Sequence, residues 1–132
     1  MKLLFVDDEP SILRAYERQF RKYFNVHTAQ SAQEGLAAIT GESYKAIVSD
    51  MRMPGMNGLE FLAKAREISP DSIQILLTGN PAMATDAKDP GYFRCLQKPC
   101  PRDHLLAVLK EAMEIPVATD GDAWRTAIDS SE

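Results

Sequence analysis

The sequence predicts an α/β domain, a doubly wound five-stranded parallel sheet with helices on both faces. Three observations predict it: five short candidate strands recur along the chain, segments with helical periodicity alternate with them, and runs such as Leu3-Leu4-Phe5-Val6 and Ala46-Ile47-Val48 are apolar at consecutive positions. A run without polar alternation needs shielding on each side, which a parallel sheet between helix layers provides. At 132 residues with a hydrophobic fraction of 45%, the chain has the size and apolar content of one compact domain.

The first strand is Leu3-Leu4-Phe5-Val6, which stops abruptly at Asp7-Asp8. Pro10 suits the first turn of a helix, and Ile12, Leu13, Tyr16, Phe20 and Phe24 recur at three- and four-residue intervals, with Arg14, Glu17, Arg18, Arg21 and Lys22 between them. Asn25 to Ala29 is a second brief strand, followed by Ser31 and Glu34 in capping-box spacing ahead of Leu36, Ala37 and Ile39. Ala46-Ile47-Val48 is the third strand, ending in Ser49-Asp50, then a turn-rich stretch and the helical Leu59, Phe61, Leu62 and Ala65. Ile73 to Leu77 gives a fourth strand that ends at Thr78-Gly79, and Tyr92 to Leu96 a fifth that ends at Gln97-Lys98-Pro99. Between these two, Asn80 to Asp89 is weakly helical at best, with prolines and aspartates in place of an apolar stripe. The last helix is expected from about Arg102 to Ile115, burying Leu105, Leu106, Val108, Leu109, Ala112 and Met113.

Composition narrows the function. Fifteen Lys plus Arg against nineteen Asp plus Glu give a net charge of -4, which argues against broad contact with nucleic acid or anionic membrane while leaving room for a local basic patch. No apolar run approaches the roughly 20 residues that span a bilayer, so the expected location is cytoplasmic. Cys95 and Cys100 are too few for a disulfide scaffold or a zinc site and read as reduced, packed thiols; His27 and His104 read as surface or packing residues. No helix-turn-helix follows Ile115.

The chemistry lies at the strand ends. In an open parallel sheet, ligands gather outside the carboxyl ends of the strands, where Asp7, Asp8, Asp50, Thr78 and Lys98 all fall. Carboxylates brought together repel one another unless a cation joins them or some take up protons. An oxygen-only ligand set suits Mg²⁺, with Mn²⁺ as a substitute, and Mg²⁺ commonly shares its shell with a phosphate oxygen. A carboxylate can itself accept a phosphoryl group while a lysine ammonium balances charge on the transferring oxygens.

Four segments then carry a family resemblance. Val6-Asp7-Asp8-Glu9-Pro10, Ser49-Asp50-Met51-Arg52-Met53-Pro54-Gly55-Met56-Asn57-Gly58, Leu77-Thr78-Gly79 and Lys98-Pro99 resemble, in order and spacing, the receiver domain of two-component response regulators. The resemblance covers Met1 to about Ile115 and implies strand order 2-1-3-4-5. It implies that Asp50 is the phosphoacceptor, that Asp7 and Asp8 bind or orient Mg²⁺ with the Arg52 main-chain carbonyl, that Lys98 contacts the phosphoryl group and that Thr78 is the switch hydroxyl. A sensor histidine kinase or phosphotransfer protein would donate, and an output domain or protein partner would respond, without direct contact to nucleic acid or membrane; homodimerisation stays open.

One position departs from the family. Three residues before Lys98, where many receivers carry a Tyr or Phe that rotates inward, stands Cys95, with Phe93 on the same strand face and Tyr92 on the other. It motivates one alternative, a receiver that works by constitutive protein binding; a second, the regulatory piece of a larger output enzyme such as a phosphodiesterase, stands beside it. A phosphatase on a related fold is disfavoured, because those enzymes usually place an acid two residues after the nucleophile, where this chain has Arg52. The expected organisation is a receiver domain over 1-115 and a linker or tail over 116-132, the start of an output region in one reading.

Overall fold

The computed structural model describes residues 2–79 and 94–114. The expectations for Asn80 to Asp89, for Tyr92 and Phe93, and for the tail from 116 to 132 lie outside the described residues. The elements run β1 (Lys2–Val6), α1 (Pro10–Phe20), β2 (Asn25–Ala29), α2 (Ala32–Gly41), β3 (Ala46–Asp50), α3 (Gly58–Ile68), β4 (Ile73–Thr78), β5 (Arg94–Gln97) and α4 (Arg102–Met113). All strands pair in parallel in the order β2-β1-β3-β4-β5, as the resemblance implied.

The two sheet faces separate by strand alternation. On one face Leu3, Phe5, Ala46, Val48, Ile73, Ile75 and Leu77 pack with Leu13 and Phe20 of α1 and Leu105, Val108, Leu109 and Ala112 of α4. On the other, Leu4, Val6, Ile47 and Leu76 pack with Ala32 and Ile39 of α2 and Phe61, Leu62 and Ala65 of α3. β3 and β4 are buried along their whole length, the signature of strands covered on both sides.

Local signals set the helix ends, with some differences from expectation. α1 opens on Pro10 and stops at Phe20, so Phe24 reaches the same core from beyond the helix instead of continuing its stripe. Ser31 caps α2 by accepting from the Glu34 amide at 3.1 Å, but the Glu34 carboxylate accepts from the Gln30 amide, one residue before the cap, so the box is displaced. A complete box instead starts α3, where Asn57 Oδ1 accepts from the Glu60 amide at 2.9 Å and Glu60 Oε1 accepts from the Asn57 amide at 3.1 Å. The sequence reading missed it because the loop is dominated by Pro and Gly. α4 ends at Met113, two residues short of the predicted boundary.

One buried polar residue stands out in β4. Gln74 is 1% exposed, its Nε2 donates to the Leu62 carbonyl at 2.9 Å, and its Oε1 has no hydrogen-bond partner among the described residues. An orphaned buried acceptor costs roughly 1–3 kcal/mol, more than the roughly 1 kcal/mol its neighbouring bond returns. Gln74→Met, close in volume and without the polar atoms, is expected to stabilise the fold by about 1 kcal/mol, read as a higher urea midpoint at unchanged slope.

Candidate functional site

Each predicted polar residue except the main-chain group of Arg52 can be followed to its position from its strand. β1 delivers Asp7, whose amide donates to the Ala29 carbonyl of β2 at 3.1 Å and whose Oδ1 accepts from the Glu9 amide at 3.0 Å. The residue is therefore held through both its main chain and its side chain before α1 begins. β3 ends on Asp50 itself, and the next residue, Met51, donates its amide to the Leu77 carbonyl of β4 at 2.8 Å. Asp7 and Asp50 are buried while Asp8 is exposed. One carboxylate oxygen from each of the three lies within 4.8 Å of the others.

Lys98 follows β5 and is tied down by its amide, which donates to the Thr78 carbonyl at 2.8 Å. Its peptide bond to Pro99 is cis. From there the ammonium reaches across the sheet edge to Asp50 Oδ1 at 2.5 Å and lies 3.8 Å from Asp7 Oδ2. Thr78 is buried at the end of β4, opposite Gln97 in register, so the hydroxyl-bearing residue and the lysine occupy adjacent strand ends. Arg52 and Asp8 line a common pocket of about 440 Å³ with Met51, Met53, Pro54 and Asn57.

One ammonium does not offset the burial of Asp7. Burial pushes the Asp7 carboxyl up to about 6; the Glu9 amide counteracts it, the Asp50 charge adds to it, Lys98 opposes it, and Asp8 adds a little more. Asp7 Oδ2 is buried without a hydrogen-bond partner among the described residues, on a carboxylate that belongs to the three-acid group. A hard divalent cation is the group that such an oxygen lacks, so the donor set fits Mg²⁺. Tyr16 borders the same cluster: stacked on Phe5 at 4.4 Å, its phenol is pushed up to about 12, first by burial and then by the charges of Asp7, Cys100 and Asp50.

The sequence reading missed two supports. Gly58, the first residue of α3, sits so close that a Cβ there would lie 2.4 Å from the Asp50 carbonyl oxygen and 2.9 Å from Met51 Cα. Glycine at this position was legible only as a turn residue. The Glu9 amide, which orients Asp7, is a main-chain group with no sequence signature.

The cysteines behave as expected of packed thiols. Cys95 packs beside the α2 and α3 face, paired in register with Leu76, while Cys100 packs on the α1 and α4 face, where burial raises its thiol. Both are free. Among the described residues no helix is long and apolar enough to cross a membrane.

Comparison with known proteins gives the same answer as the geometry. The family model for the response regulator receiver domain matches residues 3–110. The transcriptional regulatory protein GlrR of Escherichia coli K12 is 33% identical over 129 residues, covering 96% of this chain and 29% of GlrR. The chain thus spans less than a third of the curated relatives it matches first. Among solved structures, a Rhodopirellula baltica protein described as an adenylate cyclase aligns at a TM-score of 0.81 and 34% identity, covering 97% of this chain and 94% of that one. The response regulator TrrA of Thermotoga maritima, in complex with Mg²⁺-BeF, aligns at 0.77 and 27% identity, covering 84% and 97%. A parallel sheet wound in this order, acids gathered at its carboxyl edge beside a lysine, and a matching family model over most of its length together make this chain a member of the response regulator receiver domain family.

Proposed function

We propose that Asp50 accepts a phosphoryl group and that the domain responds as the switch of a two-component system. The observation that carries this reading is the Lys98 ammonium at 2.5 Å from Asp50 within a three-carboxylate cluster, one oxygen of which is buried without a hydrogen bond among the described residues. Asp7, Asp8 and Asp50, with the Arg52 main-chain carbonyl, would hold Mg²⁺, and Mn²⁺ in its place. Bound there, the ion neutralises charge on the transferring oxygens.

The chain's own groups do the rest. A carboxylate oxygen of Asp50 attacks phosphorus in line, the P–N bond of a donor phosphohistidine breaks, and the imidazole leaves with the electron pair and takes up a proton. The donor belongs to a sensor histidine kinase or a phosphotransfer protein. As Asp50 becomes an acyl phosphate, the Lys98 ammonium pairs with a phosphoryl oxygen, and the Thr78 hydroxyl, at the neighbouring strand end, donates to another. The domain assists only its own phosphorylation and dephosphorylation, and works in the cytoplasm.

Residues 1–115 form the receiver unit, and 116–132 act as a linker toward an output region or protein partner. The small share of its relatives that the chain spans supports its being the regulatory piece of a longer protein. Cys95, half-buried where many receivers carry an aromatic ring, favours a response that travels without an aromatic rotation.

Incubation with acetyl phosphate and Mg²⁺ is expected to add one phosphoryl group, labile to hydroxylamine, by intact-protein mass spectrometry. Asp50→Ala and chelation of Mg²⁺ should each abolish the adduct. Persistence of an equally labile adduct in Asp50→Ala would reject the assignment.

A further inference from the structure

The chain carries a net charge of -4, yet one pocket is lined by Arg18, Arg21, Lys22 and Arg102, with Gln19 and Tyr23 and, among the described residues, no acid. It lies between the end of α1 and the start of α4 and has a volume of about 450 Å³. Arg18, Arg21 and Lys22 have no carboxylate partner among the described residues. Arg102 has one, Asp103 at 3.6 Å, but that carboxylate is 90% exposed and free to swing into solvent. Glu17 borders the neighbouring groove on the other side of Arg21 and Lys22.

Helix polarity accounts for part of this pattern. Arg18 in the last turn of α1 complements the negative end of the helix. That explanation does not reach Arg102, which stands in the first turn of α4, where a cation opposes the helix dipole. Nor does it reach Lys22, whose ammonium lies 5.4 Å from the centre of the Tyr23 ring, with Lys110 of α4 at 5.2 Å from the same ring. Tyr23, 44% exposed, thus brings a cation from the turn after α1 and one from α4 onto one surface. Like charges gathered this way repel one another, and a bound anion removes that repulsion.

We propose that this pocket binds a compact polyanion carrying two or more linked phosphates. Guanidinium forks match phosphate oxygens two at a time, and the volume is that of a small-ligand site. A nucleic acid strand would require the positive surface to continue, against a chain that is acidic as a whole. Free oligophosphate and a nucleoside triphosphate share the recognised chemistry, and separate titrations distinguish them.

The test is calorimetric titration of the full chain with inorganic tripolyphosphate, and separately with ATP, at low salt in EDTA so that the acidic site takes no metal. Saturable one-to-one binding is expected, weakened by at least about tenfold in Arg18→Ala/Arg21→Ala. It should be unchanged in Lys64→Ala/Arg66→Ala, which removes the same charge from α3 on the opposite face, and in Asp50→Ala. Binding of tripolyphosphate alone points to the free oligophosphate, and tighter binding of ATP to the nucleotide. Absence of saturable heat with both, equal weakening by the two double variants, or tighter binding of a poly-aspartate peptide or an RNA oligonucleotide overturns the proposal. Because the readout is binding without metal, it stands or falls separately from phosphorylation at Asp50.

Discussion

Gly58→Ala is expected to destabilise the fold by about 3 kcal/mol and to slow phosphorylation, although a single methyl at the start of a helix ordinarily helps. Alanine gains up to about 1 kcal/mol of helix propensity over glycine, so the opposing term must be larger. It is, because the new Cβ would lie 2.4 Å from the Asp50 carbonyl oxygen, 2.8 Å from Leu76 Cδ1 and 2.9 Å from Met51 Cα. Two of these three are main-chain atoms, which cannot rotate away as the end of a side chain can. Relief requires α3 to move off β3, and that movement carries Asp50 away from Lys98. Gly41→Ala is the control: its Cβ would meet nothing within 4 Å among the described residues, so no loss is expected. Urea unfolding of both variants, with acetyl phosphate labelling rates, checks the contrast; equal stability of the two would contradict the close approach.

Asp7→Asn should have the opposite effect on the metal-free protein, stabilising it by up to about 3 kcal/mol at pH 8. The folded state holds the Asp7 proton up to about 6 against an ordinary value of 3.8, chiefly through burial. Folded protein therefore binds more protons than unfolded between those values, and wild-type stability falls as pH rises through that window and stays lower above it. The asparagine variant lacks the penalty, so its advantage should vanish by about pH 3.5 and be complete above about pH 7. It keeps an oxygen for the Glu9 amide but loses a charged ligand, so Mg²⁺ should no longer stabilise it as it does the wild type. Thermal or urea unfolding across pH, with and without Mg²⁺, reads both effects. A pH-independent difference between the two proteins would disprove the role of ionisation.

How far the sequence reaches depends on which interactions it encodes. The apolar runs were legible because complete shielding removes the polar alternation from β3 and β4. Asp7, Asp8, Asp50, Thr78 and Lys98 were legible as strand-end residues because a parallel sheet gathers its carboxyl ends on one edge. The order of strands came only from family resemblance, since periodicity carries no information about neighbours. Gly58 and the Glu9 amide were invisible for a different reason: one acts by lacking an atom, the other through a main-chain group that every non-proline residue has. The Glu34 side chain was placed one residue wrong because spacing fixes which turn a carboxylate serves but not which amide of that turn it reaches.

The strand order has one more consequence. Asp7 and Asp50 are rooted in β1 and β3, each flanked by strands on both sides, whereas Lys98 hangs from β5, a four-residue rim strand with a single neighbour. Rim strands unzip at far lower free energy than central ones. The acidic half of the centre is thus rooted in strands held on both sides and its cationic half follows one held on a single side, so amide exchange is expected to be slower around Asp7 and Asp50 than around Lys98, and a change of charge on the inner acid is expected to be relieved by movement of the outer strand.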